Sequence, residues 1–446
     1  MTRDMTKGNP FPIILRFMIP LFIGNVFQQL YNMADTIIVG RFVSADALAA
    51  VGATGTIMFL VLGFSQGLCT GFTVLTSQLY GAQNYPRVKR SVANAILLAA
   101  IVIVLVTTLS LSLMRPLLHL MNTPENIFED AYTYIMIICM GIVASVYYNL
   151  FSAFLQAVGN SKMPLFFLVF SACLNVLLDL FFIIVLQLGV AGAALATDLS
   201  QGISALLCLF YIFKKEKVLW PERQHWRIHL SDTQHQLAVG VPMALQFAIT
   251  ASGTIIMQSA INLFGSTAVA AYTAANKLHN VLTQEMNSMG QAMATYSGQN
   301  YGAHRCDRIQ QGVRAAMIIE LIYSVLAALC CLLLLRPVMA LFFAGSGSID
   351  EMLPWASTYI HIAILFYIPL SFIFIFRNAM QGCGHGFLPM MGGVAELLAR
   401  AGVALIAMQL MSFPLAVFCD PAAWVCACLF TAFSYLFVIR KVQKEL

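Results

Sequence analysis

Polar side chains recur at helical spacing inside three otherwise apolar runs of this 446-residue sequence. The runs contribute Asn25, Gln28, Asn32 and Asp35, then Ser171, Asn175 and Asp179, then Thr197, Asp198 and Gln201. Residues three or four positions apart share one face of a helix, so we expect these side chains to converge inside one helical bundle. An ionisable group at bilayer depth costs at least about 2.5–3.5 kcal/mol, so each carboxylate there needs a partner, a water-filled cavity or a function.

The chemistry available to this set of side chains is ion binding. Two carboxylates with an amide and a hydroxyl form an oxygen-only ligand set, which suits a hard cation such as Na⁺. Two neighbouring carboxylates can also share one proton. The alternative is a hydrogen-bonded network that only fixes helix packing. We favour a proton or sodium site at Asp35 and Asp179, with Asn175 and Thr197 beside them, because unpaired carboxylates are costly packing groups.

The second half of the sequence carries a polar stripe of its own. It consists of Lys277, Asn280, Gln284, Asn287 and Gln291, with Glu285 beside it. The stripe lines either a cavity or a polar seam between helices. Methionine surfaces adapt to varied apolar ligands, although ordinary apolar lining explains the neighbouring methionines equally well. The candidate residues of a substrate cavity are Gln28, Asn32, Glu285, Met286 and Met289.

The composition excludes a soluble enzyme. Hydrophobic residues make up 60% of the chain and charged residues only 10%, whereas soluble domains carry about 25% charged residues. A membrane-spanning helix needs about 20 apolar residues. The apolar runs predict an all-α polytopic membrane protein with twelve spans, at roughly 13–39, 47–76, 91–114, 131–155, 163–187, 189–213, 236–264, 267–297, 312–335, 355–380, 387–411 and 416–438.

The distribution of basic residues predicts the orientation. With the N-terminus in the cytoplasm, all but five of the 24 Lys and Arg residues fall in cytoplasmic loops, tails or helix ends, as the positive-inside rule requires. The five exceptions are Arg41, Arg115, Arg336, Lys277 and Arg400. We therefore expect a multi-pass protein of the bacterial cell (inner) membrane with both termini in the cytoplasm. Topology accounts for the net charge of +5, so no nucleic-acid partner is implied.

The two halves of the chain repeat one pattern at a nearly constant offset. Pro20 and Pro242 are 222 residues apart, Tyr-Gly-Ala recurs at 80–82 and 301–303, Arg-Pro at 115–116 and 336–337, and Gln-x-x-Gly at 156–159 and 381–384. We expect an N-terminal six-helix lobe (1–213), a cytoplasmic loop (214–235) and a C-terminal six-helix lobe (236–446). Six spans per half make the lobes parallel repeats, with a central cleft between them.

Cofactor and catalytic motifs are lacking in the sequence. It contains no Gly-rich phosphate loop and no recognisable Ser/His/Asp pattern. The 11 cysteines have no metal-ligand spacing and suit apolar packing. We expect no cofactor, no catalytic residues and no metal other than a possible Na⁺ at Asp35 and Asp179.

These motifs together resemble the multidrug and toxic compound extrusion (MATE) transporters. The resemblance is carried by Tyr-Asn-Met-Ala-Asp-Thr-Ile-Ile-Val-Gly at 31–40, by Leu-Asn-Val-Leu-Leu-Asp at 174–179, by the repeated signatures above and by 396–400. It covers nearly the whole chain. It implies two six-helix lobes and export of organic cations or amphiphilic drugs, driven by a proton or sodium gradient and acting as a monomer by alternating access.

The resemblance also assigns roles to residues. It places the cation site at Asp35, Asn175, Asp179 and Thr197, adds Tyr134, and makes Pro20 the point where the first helix bends. The NorM branch has an essential acid in span 7, where this sequence has Gln246 and no carboxylate. The sequence therefore looks closer to the DNA-damage-inducible or archaeal-like branch, and an ion site in the C-terminal lobe is not expected.

Three other functions compete with drug export. A flippase for lipid-linked precursors shares the architecture, but it needs a basic cavity for phosphates, and only Lys277 and Arg400 offer interior positive charge. Glu396, four residues before Arg400, can neutralise it within one helix. A membrane-embedded transferase needs an acidic metal motif or a His/Asp pair, and a passive channel needs no pair of titratable carboxylates.

Overall fold

The computed structural model describes residues 4–121, 123–343 and 349–445, and within these ranges the chain is helical and contains no β-strand. The first half contains α1 (Pro10–Phe42), α2 (Ala45–Gly81), α3 (Tyr85–Leu120), α4 (Glu125–Met140), α5 (Ile142–Ala157), α6 (Lys162–Leu180) and α7 (Gly189–Lys215). The second half contains α8 (Leu230–Asn262), α9 (Gly265–Gly302), α10 (Cys306–Phe342), α11 (Ile349–Ile364), α12 (Tyr367–Gly382), α13 (Phe387–Leu410) and α14 (Phe413–Glu445). The predicted all-α fold is confirmed.

The helices account for all twelve predicted spans. Among the described residues, nine helices are long and apolar enough to cross a membrane. Two further spans are bent pairs, with 47° between α4 and α5 and 50° between α11 and α12. The remaining predicted span lies in α9, a helix of 38 residues whose polar stripe lowers its hydropathy. The bends recur at matching places in the two halves, as the internal repeat predicts.

The repeated sequence motifs are helix C-termini. Gln83 and His304, which follow the two Tyr-Gly-Ala motifs, both have positive φ angles, of 55° and 56°. Gly159 and Gly384, which end the two Gln-x-x-Gly motifs, have φ angles of 83° and 89°. In each case the backbone N–H donates to the carbonyl three residues earlier. A left-handed residue closing a helix in this way is a common termination, and the repeated motifs therefore encode four equivalent chain turns.

Contacts group the chain into two compact units, and two helices contribute to both. The first unit contains Ile23–Phe247, and the second contains Met5–Phe22 together with the chain from Ala248 onward. Helix α1 therefore leaves the second unit two residues after Pro20. Helix α8 leaves the first unit five residues after Pro242, the repeat partner of Pro20. The division of the chain into six-helix lobes at 1–213 and 236–446 remains a prediction.

The start of α8 is anchored to α3 inside the first unit. Asp232 is buried and accepts hydrogen bonds from Arg90 at 2.6 and 3.0 Å and from Arg87 at 3.2 Å. One turn further on, Gln236 accepts a hydrogen bond from Asn94 at 2.8 Å. Charge-assisted and bidentate bonds of this kind are strong and geometrically specific. The central loop thus ends in a fixed attachment, and that attachment positions the first half of α8.

The same half of α8 packs against α2 through glycine. A Cβ atom placed on Gly71 would lie 2.2 Å from the Cα atom of Gly240, and one placed on Gly67 would lie 2.8 Å from the Cα atom of Ala244. Small residues at such crossings let helix backbones approach closely, which is the main way helices associate in lipid.

We expect Gly71→Ala to destabilise the first unit by about 1–3 kcal/mol, because the added methyl group meets backbone that cannot move aside. Gly55→Ala on the same helix is the matched control, since no atom lies within 4 Å of its added Cβ. Thermal unfolding of the purified variants in detergent measures the difference. Equal midpoints for the two variants would show that the close approach of α2 and α8 is unimportant.

Candidate ion-binding site

A tight helical hairpin brings the polar residues of α6 and α7 together. Asn175 and Asp179 lie one turn apart near the end of α6, which continues into a π-helical turn at Phe181–Val185. Such turns are rare and often occur at functional sites. A short connection leads directly into α7. As a result the Asn175 side-chain amide donates to the Thr197 hydroxyl at 3.4 Å.

Helices α1 and α4 complete the site. Asp35 on α1 is 8% exposed and lies close enough to Asp179 for the two charges to interact. Tyr134 on α4 is buried and lies within electrostatic range of both carboxylates. Thr197 is half-buried. The structure thus brings together all five residues proposed for the ion site from sequence and family resemblance, within the first unit.

The site leaves buried oxygen atoms without donors. In the described part of the chain, no hydrogen-bond partner reaches Oδ1 of Asp35, Oδ1 of Asn175 or either carboxylate oxygen of Asp179, which is 0% exposed. Buried polar atoms are almost always hydrogen-bonded, and an unpaired buried charge is especially unfavourable. The carboxylate, amide and hydroxyl oxygens form a set that suits a proton or a small hard cation.

Tyr31 is a further member of this polar region that the sequence analysis overlooked. Its hydroxyl lies within hydrogen-bonding reach of Gln28 and Gln201 and within electrostatic range of both site carboxylates. The signal was available, because Tyr31 precedes Asp35 by four residues and follows Gln28 by three, which places all three on one face. Gln28 is half-buried, whereas Asn32, the next residue of the predicted cavity face, is exposed.

Asp198 lies at the edge of this polar region, within electrostatic range of Tyr134. Its carboxylate lies against the glycine at the α4–α5 bend, where a Cβ added to Gly141 would be 2.0 Å from Cγ of Asp198. It lines a cavity of about 610 Å³ whose other walls are mainly aliphatic and aromatic. A step of one residue along the helix rotates Asp198 by about 100° from Thr197.

The methionines predicted to line a substrate cavity on α9 are not exposed in the structure. Met286 and Met289 are fully buried and belong to the hydrophobic core of the second unit. They therefore fill space between helices and do not form an open wall. Glu285 is also buried rather than exposed on such a wall. Lys277, at the other end of the polar stripe, is exposed.

A buried ion-pair chain joins four charged residues elsewhere in the second unit. Arg400 donates to Glu396 at 2.9 Å and to Asp420 at 2.8 Å. Arg377 donates to the other Glu396 oxygen at 3.3 Å. Arg377 is buried, and the sequence analysis missed it as an interior charge because it placed the residue near a helix end. Two guanidinium groups and two carboxylates neutralise one another, so this cluster has a structural role and offers no free positive charge.

About twelve membrane spans, an internal repeat and carboxylates without donors among the described residues are features typical of membrane transporters. Comparison with protein families identifies the particular group. The chain belongs to the MATE family, because the family model MatE matches residues 20–181 and 242–406. The two matched segments correspond to the two sequence repeats. The protein is therefore a transporter and not an enzyme.

Relatives and solved structures agree with this assignment. The probable multidrug resistance protein YpnP of Bacillus subtilis is 33% identical over 308 residues, which is 67% of each chain. An FAD transporter of Shewanella oneidensis is 24% identical over 378 residues, covering 83% of this chain and 81% of that one. The fold matches a crystal structure of MATE in complex with MaL6, with a TM-score of 0.93, 22% identity and full coverage of both chains.

We expect Arg400→Leu to cost about 3–5 kcal/mol of stability, because it leaves Glu396 and Asp420 buried with a deficit of positive charge. Arg336→Leu is the matched control, since Arg336 is exposed on α10. Thermal unfolding in detergent measures both. An Arg400→Leu protein as stable as the control would contradict a structural role for the ion-pair chain.

Proposed function

We propose that the protein is a secondary multidrug exporter of the bacterial cell (inner) membrane, which exchanges a proton or a sodium ion for organic cations or amphiphilic drugs. The observation that carries the proposal is the pair Asp35 and Asp179, two interacting carboxylates with buried oxygens that have no donor. Such a pair is expensive unless an ion occupies it for part of the cycle. The relatives named for multidrug resistance support drugs as the exported cargo.

The coupling follows from which helices hold the ion. Binding at Asp35 and Asp179 joins α1 to the α6–α7 hairpin, and Asn175 and Thr197 supply neutral oxygens next to the carboxylates. Release of the ion restores two interacting negative charges, which favour a different arrangement of α1. Pro20 interrupts the hydrogen bonding of the same helix and is the proposed bending point. Exchange then requires only that ion and drug favour different conformations.

The drug is proposed to contact the polar side chains that lie beside the ion site. Gln28 lies within hydrogen-bonding reach of Tyr31, and exposed Asn32 lies one turn further along α1. An amphiphilic cation meeting these groups would sense the charge state of Asp35 directly. We propose that a single chain, with both termini in the cytoplasm, carries out the whole cycle of alternating access.

A lipid-precursor flippase fits the buried charges less well. Recognition of phosphates depends on accessible Arg or Lys, but Arg377 and Arg400 are buried and paired with Glu396 and Asp420. Lys277 is exposed and offers a single positive charge on α9. Drug export therefore remains the proposed function.

Replacing Asp35 or Asp179 with Asn tests the site. We expect gradient-driven efflux of ethidium from cells to fall by about 5- to 150-fold in each variant, the usual range of coupling between two sites. Asp130→Asn is the control, because Asp130 is exposed in the same unit and should transport normally. Undiminished export by both site variants would refute the proposed coupling site.

Imposed gradients identify the ion. In proteoliposomes with one cationic dye, a pH gradient without sodium and a sodium gradient at constant pH are compared. We expect one of these gradients to drive dye transport in the wild type and not in Asp179→Asn, because the site binds the ion between two carboxylates. If neither gradient drives transport of any cationic dye, ion-coupled export is the wrong function.

A further inference from the structure

A second pair of carboxyl groups lies buried in the second unit, apart from the proposed ion site. Glu285 on α9 is 2% exposed and Glu320 on α10 is 0% exposed. All four of their carboxyl oxygens are buried and have no donor among the described residues. Glu320 interrupts the apolar run Met-Ile-Ile-Glu-Leu-Ile at 317–322, a signal that the sequence analysis passed over.

The two carboxyl groups lie within hydrogen-bonding reach of each other. Ionised carboxylates only accept hydrogen bonds, so the contact is a hydrogen bond only if one of the two groups carries a proton. Two like charges at this distance in a dry interior cannot both persist, and the pair must be considered as one titrating unit. A single shared proton satisfies both groups.

Other ionisable groups on the packed helices do not neutralise the pair. Tyr323 interacts with both glutamates but donates its hydroxyl proton to the Leu282 carbonyl at 2.7 Å. Further groups are engaged elsewhere: His279 with Tyr367, Tyr359 with Asn276, Arg377 with Glu396, and Asp420 with Arg400. The exposed ionisable residues on these helices include Arg16, Lys277, Arg314, Glu351 and His361. Tyr435 on α14 has a buried hydroxyl and no positive charge to offer.

We propose that Glu285 and Glu320 hold one proton between them and form a second proton-binding site of the transporter. Gln284 and Asn287, close to Glu285 in sequence on α9, are half-buried, and Asn280 is exposed. Loss of the proton leaves two negative charges that push α9 and α10 apart. Protonation therefore stabilises the packing of these two helices.

This site goes beyond the proposed function, which requires only Asp35 and Asp179. Span 7 contains no carboxylate, and the carboxyl pair of the second unit lies on α9 and α10 instead. The role of the pair in transport rests on the proposed function, whereas the shared proton rests on the local geometry alone. The two claims can accordingly be tested separately.

Infrared spectroscopy of the full-length protein in detergent tests the shared proton directly, through the C=O stretch of a protonated carboxylic acid. We expect the wild type to show such a band in sodium-free buffer and in sodium buffer at the same pH, and to lose it as the pH rises. The band should persist in the Asp35→Asn/Asp179→Asn protein and in Glu129→Gln, an exposed control. It should disappear in Glu285→Gln/Glu320→Gln.

The α9–α10 band is the carboxylic-acid band that Glu285→Gln/Glu320→Gln is expected to remove, and its absence from the wild type would overturn the proposal. A band that sodium abolishes would also overturn it, since the pair would then bind the metal ion. Thermal unfolding gives an independent readout that needs no transport. The wild-type midpoint should fall as pH rises through the titration of the pair. In Glu320→Gln that fall should be absent, because the amide of Gln can donate to Glu285 permanently.

Transport distinguishes this site from the one in the first unit. Glu320→Gln should change the dependence of drug export on pH, whereas Asp35→Asn should lower gradient-driven export by about 5- to 150-fold. Wild-type protein that shows the α9–α10 band but no gradient-driven export would refute the proposed function alone. Identical pH profiles for Glu320→Gln and wild type would refute a role for the pair in transport.

Discussion

A carboxylate inside a bilayer needs a positive partner, a proton or a cation, and the arrangement of this protein follows from how each interior acid meets that need. Glu396 and Asp420 are satisfied by Arg377 and Arg400, which makes their region a fixed part of the second unit. Among the described residues, Asp35 and Asp179 have no such partner. The same kind of side chain is fixed by a guanidinium group in one place and lacks one at the site proposed for ion exchange.

The local backbone around the first carboxylate pair is built to keep it together. The π-helical turn after Asp179 and the short connection into α7 set the depth at which Asn175 meets Thr197. Tyr134 reaches the same place from α4, seven residues before the bend at Gly141. Irregular backbone therefore occurs next to the site, where it fixes the position of ligands, while the rest of the first unit uses long regular helices and close glycine contacts.

Much of the fold was predictable because its signals are periodic and additive. Apolar runs gave the spans, and the repeated Tyr-Gly-Ala and Gln-x-x-Gly motifs marked chain turns that occur at the same offset in the structure. The residues of the first carboxylate pair were also predictable, since acids are rare in such runs. Charged residues such as Glu320 and Arg377 are equally rare in apolar runs, yet their importance depends on which side chain lies opposite on another helix. Pairing across helices, like the rotation that separates Asp198 from Thr197, depends on tertiary contacts that spacing in one helix does not specify.

Helices α1 and α8 make each unit depend on both halves of the chain. Met5–Phe22 belongs with the second unit, and the start of α8 up to Phe247 belongs with the first. A cut in the central loop between α7 and α8 would therefore leave each fragment without a helical segment of its own unit. Only a chain that retains both halves supplies every segment of either unit.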